Sequence, residues 1–204
     1  MSTNQPRKPA GTPAGGQWAP MAHAEPDVGL QDAAALFNQA RRGTLPRNIN
    51  QWELADSTKW TVAHIAALYG RLPSCFDKWD LADGGGWTVA HTAARWDNLP
   101  DDFDRWDLAD KEGWTVAHEA AACGTLPSDF DRWDLADRRG WTVAHEAAAC
   151  GALPSDFDRW DLADKRSRTV AHIAARYGYL PRSFDRWDLV PERYHNQWPA
   201  RVWR

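Results

Sequence analysis

The sequence predicts an all-α fold, an α-solenoid of about six stacked 27-residue helix–turn–helix units. Three observations predict it. His64, His91, His118, His145 and His172 recur at intervals of 27. Two tryptophan series keep the same interval: Trp60, Trp87, Trp114, Trp141, and Trp52, Trp79, Trp106, Trp133, Trp160, Trp187. Together they hold ten of the 14 tryptophans. The stretch 114–140, WTVAHEAAACGTLPSDFDRWDLADRRG, differs from 141–167 at three positions only: Thr125/Ala152, Arg138/Lys165 and Gly140/Ser167. Self-similarity at a fixed period of this size is the mark of a stacked array.

Five units fill 60–86, 87–113, 114–140, 141–167 and 168–194. A degenerate unit at 33–59 keeps Gly43, Leu45, Pro46, Trp52, Leu54, Ala55 and Asp56 in phase. It carries Ala33 and Phe37 where Trp and His stand elsewhere, as a capping unit would. The array is thus expected over 27–194. Residues 1–26 are rich in Pro, Gly, Ala and Gln and read as a disordered arm. The tail 195–204, HNQWPARVWR, is basic and bears Trp; it is expected to fold over the last unit or to bind.

Within a unit, Asp110-Lys111-Glu112-Gly113 has the residue types of a type I turn. Thr115 is a good N-cap for a helix over Val116–Cys123, and His118 at its third position can reach back to the cap. Gly124 stands where a left-handed residue closes a helix. Pro127 suits the first turn of a second, very short helix, expected over 128–134. Helices this short do not hold alone. Each Trp brings about 150–250 Å² of surface to bury, so the units are expected to stand only against neighbours.

The string D-x-x-G-W-T-V-A-H-x-A-A-x-x-G, in register in about four units, resembles the ankyrin repeat, whose motif runs D-x-x-G-x-T-P-L-H-x-A-A-x-x-G. It departs in its period of 27 rather than about 33 and in Val-Ala for Pro-Leu. The segment L-P-x-D-F-D-x-W-D-L-A-D resembles a leucine-rich-repeat variant, also a helical solenoid. The ankyrin resemblance implies a structural role for the histidines and binding of another protein as the function. The leader RKPAGTPAGGQW resembles N-terminal leaders of phage and plasmid proteins, which implies a host protein as the partner.

Composition and motifs narrow the classes. No run of 18 apolar residues exists, so no membrane span is expected, and the N-terminus lacks the apolar stretch of a secretory signal. A net charge of −4 and three scattered cysteines argue against a generic nucleic-acid binder and a disulfide scaffold. A cytoplasmic protein is expected. Five histidines one unit apart stand about 8–10 Å from each other, too far to share an ion. Cys123 and Cys150 are expected as small buried hydrophobes, and the D-F-D-R-W-D charges as local Asp–Arg pairs. No nucleophile elbow, phosphate loop or zinc spacing is present, so no enzyme, metal, cofactor or small-molecule substrate is expected.

If recurring residues build the stack, non-recurring ones are free to bind. The middle units are bland, whereas the outer ones carry Tyr, Trp and Arg, the types enriched at binding hot spots. The candidate partner-binding residues are Tyr69, Arg71, Arg95, Trp96, Arg176 and Tyr177. The alternative is a nucleic-acid backbone tracked by basic turn tips: Lys111, Arg138, Arg139, Lys165, Arg166 and Arg168. A third reading makes the array a spacer, with binding in the arm or the tail.

Overall fold

Each unit passes into the next through a turn that an aspartate closes. Asp110 Oδ1 accepts hydrogen bonds from the backbone N–H of Glu112 at 2.8 Å and of Trp114 at 2.9 Å. The Asp110 N–H donates to the Trp114 carbonyl at 2.9 Å, and the Gly113 N–H to the Asp110 carbonyl at 3.1 Å. Asp56, Asp83, Asp137 and Asp164 do the same. The fourth turn residue is left-handed, with φ of 87°, 81° and 75° at Gly86, Gly113 and Gly140. Glycine is required there for a second reason. A Cβ would meet the backbone nitrogen of the following tip, Lys111, Arg138 or Lys165, at 2.8, 2.9 and 2.9 Å. Lys59 and Ser167 hold the same backbone shape with a side chain. The tip after Lys59 carries Gly84, and Ser167 belongs to the last aspartate-closed turn.

The computed structural model describes residues 33–46 and 49–195; the expected arm over 1–26 and the tail beyond His195 lie outside the described residues. Helix α1 spans Ala33–Arg42, α2 Val62–Leu68, α3 Val89–Arg95, α4 Val116–Cys123, α5 Val143–Cys150 and α6 Val170–Tyr177. A 3₁₀ turn at Trp187–Leu189 and α7 at Glu192–His195 follow. A threonine caps each of α2–α6: Thr115 Oγ1 accepts from His118 N, and His118 Nδ1 accepts from Thr115 N. The other first-turn donors are served from the segment before. Val116 N donates to the Leu108 carbonyl at 2.9 Å and Ala117 N to that of Trp106 at 3.2 Å. No N-terminal donor among the first three is left orphaned, which a two-turn helix needs in order to persist. At the far end, Gly124, Gly151 and Gly178 close α4, α5 and α6 in the left-handed region; after α3 Asp97 takes it, with φ 57°.

The second helix expected over 128–134 is absent. Two single turns replace it, closed by Phe130 N to the Pro127 carbonyl at 3.1 Å and Leu135 N to the Arg132 carbonyl at 3.3 Å. The carbonyls of Trp133 and Leu135 accept from Ala144 and Val143, the first residues of α5, so they point forward to the next helix. The helix–turn–helix unit is therefore corrected to one helix and two turns. Among the described residues this segment closes into a 3₁₀ turn only at Trp187–Leu189.

Among the described residues the chain is all-helical, with isolated bridges such as Ala109–Thr115 and no strand. No described helix is long and apolar enough to cross a membrane. Consecutive helices α1 to α6 pack against one another. Small faces let them approach: Val116, Ala117, Ala120 and Ala121 in α4 are fully buried, and α2, α3, α5 and α6 repeat the pattern. Beside the helices runs an aromatic ladder. Trp79 meets Phe103 at 5.5 Å, Phe103 meets Trp106 at 5.2 Å, and Trp106 meets Phe130 at 5.6 Å, all edge to face. The ladder continues unbroken from Trp52 to Trp187. Edge-to-face geometry adds about 0.5–1.5 kcal/mol per pair to area burial. The Asp–Arg pairs expected within a unit instead bridge units: Arg105–Asp80 at 3.6 Å, Arg132–Asp107 and Arg159–Asp134 at 3.7 Å. All are exposed, so each adds little.

Trp106→Ala removes an interior ring of the ladder and is expected to cost about 3–5 kcal/mol in urea unfolding. Trp96→Ala, on the surface, should cost under about 0.5 kcal/mol. Gly113→Ala should cost at least about 1–2 kcal/mol from the left-handed backbone alone, whereas Ser167→Gly should be neutral or stabilising.

Candidate functional site

The histidine column is buried and bonded on both nitrogens. Nδ1 of His64, His91, His118 and His145 accepts the N–H of the capping threonine at 3.3, 3.2, 3.2 and 3.1 Å. Nε2 stands 2.8–2.9 Å from a carbonyl of the next unit: Trp87, Trp114, Trp141 and Arg168. A carbonyl only accepts, so Nε2 carries the proton and the ring is neutral. Burial pushes all four imidazoles below their ordinary pKa, against the pull of the carbonyl and of nearby aspartates. Neither nitrogen offers a lone pair to a ligand. Among the described residues no three His, Cys, Asp or Glu side chains are grouped to hold a metal.

The first Trp series forms a different surface. Trp87, Trp114 and Trp141 are half-buried, and each Nε1 donates to a side chain five residues on. The acceptors are Thr92 Oγ1 at 3.2 Å, Glu119 Oε2 at 3.2 Å and Glu146 Oε2 at 2.9 Å. Two cavities open along this column. One of about 520 Å³ is lined by Trp60, Leu68, Asp83, Trp87, Thr92, Arg95 and Trp96. One of about 420 Å³ lies between Trp87 and Trp114, over Asp110, Glu112, Glu119 and Asp137, with Arg95 and Arg139. Glu119 is only 7% exposed. Burial raises its pKa, while the Trp114 indole and Arg95, 3.6 Å away, pull it back. Glu119 is not among the sequence-based candidates because Glu146 repeats it; a carboxylate five residues after an indole is the pattern that marks it.

The six candidates do not form one constellation. Arg95 and Trp96 line the larger cavity together, and Trp96 is 56% exposed. Tyr69 caps α2 and is half exposed but is not among the residues lining that cavity. Arg71 lies over Gly43, just past α1, where its Cδ would touch an added Cβ at 3.0 Å. Its column is structural elsewhere too: Asn98 Nδ2 donates to the Ala67 carbonyl at 2.9 Å, and Thr125 Oγ1 to that of Ala94 at 3.2 Å. Arg176 and Tyr177 sit together at the end of α6, with the guanidinium carbon 5.6 Å from the ring centre.

Two further expectations are corrected or redrawn. Cys123 and Cys150 are exposed rather than buried, because their column is that of Tyr69, Trp96 and Tyr177. Partial desolvation of each sulfur, on the side turned to its helix, and the carboxylates of Glu119 and Glu146 raise their thiol pKa values, so they are weak nucleophiles. Of the basic tips, Lys111 Nζ donates to the Gly84 carbonyl and Lys165 Nζ to that of Arg138, while Arg168 pairs with Asp164. Arg138, Arg139 and Arg166 remain exposed. No protein-family model matches the chain, and no curated protein matches it in sequence.

The four buried imidazoles set a pH response. Their folded pKa lies below the unfolded value of about 6.5. As pH falls through that value the unfolded chain takes up protons first. Stability is therefore complete above it and is lost as pH falls towards the folded pKa. Each ring contributes a slope of up to about 1.4 kcal/mol per pH unit, so four contribute on the order of 5. Glu119, raised rather than lowered, opposes this as a single group. The urea midpoint should drop steeply between pH 7.5 and 5.5; a flat profile would refute neutral, buried rings.

Proposed function

We propose that this chain is an ankyrin-like α-solenoid acting as a non-catalytic scaffold that binds another protein. The binding surface is the indole column beside the ends of α2, α3 and α4. One observation carries the reading: a cavity of about 520 Å³ is lined by the half-buried Trp60, Leu68 and Trp87 together with the exposed Arg95 and Trp96. An exposed Trp beside an exposed Arg, with half-buried apolar side chains, is the composition of an interface hot spot rather than of a solvated face. Support also comes from the division of labour in the motif. The histidines, the Phe–Trp ladder and the turn aspartates all have partners within the stack, whereas Trp96 has none of these duties. Arg176 and Tyr177 form a separate exposed pair, secondary to this groove. The nucleic-acid alternative keeps Lys111, Arg138, Arg139, Lys165 and Arg166 as exposed cations, but Arg139 stands among the carboxylates of Asp110, Glu112 and Asp137, which repel a phosphate backbone.

Selection of displayed random peptides against the folded chain tests the reading. Enriched sequences should lose at least tenfold in affinity on Trp96→Ala and keep it on Tyr177→Ala. Ligands that bind wild type and Trp96→Ala alike would remove this surface from consideration. A steep loss of binding to a DNA or RNA duplex between 50 and 200 mM salt, abolished by Arg139→Ala, would instead favour the tips.

A further inference from the structure

The chemistry of the guest can be named, on the assumption that the binding reading above holds. The smaller cavity sets four carboxylates, those of Asp110, Glu112, Glu119 and Asp137, against the guanidiniums of Arg95 and Arg139. Glu119 and Arg95 neutralise each other at 3.6 Å, which leaves an acidic excess on the turn side. Oδ1 of Asp110 and of Asp137 is held by turn N–H groups. Among the described residues no hydrogen bond or ion pair reaches their Oδ2. Indole faces thus stand beside carboxylate oxygens that lack a cation.

The chain itself carries an example of what that combination accepts. The fifth member of the indole column is Arg168. Its guanidinium carbon lies 5.2 Å from the centre of the Trp141 ring. Its Nε and Nη2 reach Asp164 Oδ2 at 2.7 and 2.6 Å. Trp141 and Asp164 stand in the same sequence relation as Trp87 and Asp110, and as Trp60 and Asp83. Each of those earlier pairs lines one of the two cavities. A guanidinium is drawn to an indole face by the ring quadrupole, and it meets a carboxylate through charge-assisted hydrogen bonds.

We propose that the indole column is a docking track for an extended, arginine-bearing segment of a partner protein. One guanidinium lies on Trp87 and bonds Asp110 Oδ2; a second lies on Trp60 and bonds Asp83 Oδ2. Packed helices stand about 8–10 Å apart. A segment in the extended polyproline II conformation rises about 3.1 Å per residue with three residues per turn, so two arginines three positions apart fall on one face about 9 Å from each other. An acidic segment is repelled by the same oxygens.

Fluorescence anisotropy with labelled nine-residue peptides in a Gly-Ser background, at 50 mM NaCl, tests this. Arg-Ala-Ala-Arg should bind at least tenfold tighter than Arg-Ala-Arg or Glu-Ala-Ala-Glu. Replacing both arginines by citrulline should cost at least tenfold without touching the protein. Asp110→Asn keeps an Oδ1 for the turn and should cost about as much. Equal binding of the arginine and citrulline peptides, or no binding of Arg-Ala-Ala-Arg at millimolar protein, overturns the proposal. Selected peptides that need Trp96 but lack paired basic residues would overturn it while leaving the binding reading in place; the absence of any Trp96-dependent peptide would remove both.

Discussion

A neutral imidazole ties each helix start to the next turn, and the stack depends on that tie. His91 fixes the N-cap of its own helix through Nδ1 and reaches the Trp114 carbonyl through Nε2 at 2.8 Å. The same carbonyl accepts the Asp110 N–H at 2.9 Å, the bond that closes the following turn. Both lone pairs of that oxygen, in the unit 114–140, are therefore committed to donors of the unit 87–113. Removing the ring would leave a buried threonine N–H and a half-used carbonyl, each costing more than an ordinary hydrogen bond contributes. At the start of the array Phe37 fills the place of the ring, buried at 9%, and no capping threonine precedes α1. His172 is only half-buried, with its cap bonded.

How much was legible followed from how local each interaction is. The helix over Val116–Cys123, its threonine cap and its glycine stop are read from residues four or fewer apart, and they stand where those residues place them. The second helix was not legible. Proline, two early aspartates and an apolar period all favour it, but the carbonyls it would use serve the next helix, residues away in sequence. Cross-unit pairing also misled the charges. Arg132 looked like a partner for its neighbours and instead meets Asp107 of the unit before. A motif printed in every unit cannot reveal by itself whether a contact is made within a copy or between copies.

The site shows the same limit. Arg95 and Trp96 were visible because they break the pattern, and they do line one groove. Arg71 breaks it as well, yet it packs over Gly43. Departure from the repeat marks a position as different, and only the contact made by that side chain separates a local repacking from a free surface. Glu119 erred in the other direction: its presence in two units disguised it as framework, although it is the buried carboxylate that orients Trp114 and holds Arg95.

The two tryptophans of each unit have the same side chain and opposite physical situations. Trp106 is gripped by Phe103 on one side and Phe130 on the other, at 5.2 and 5.6 Å, so it cannot turn towards a guest without opening the ladder. Trp114 has its ring contact with His118, tilted by 33° at 4.8 Å, and its N–H is fixed by Glu119. That indole is held against the frame by His118 and Glu119 and also lines the cavity. A rigid aromatic already held in place loses little freedom when something covers it. Trp114 and Trp87 can therefore belong to the architecture and still be the surface on which recognition is built, which the strict division into repeated framework and variable contact does not allow.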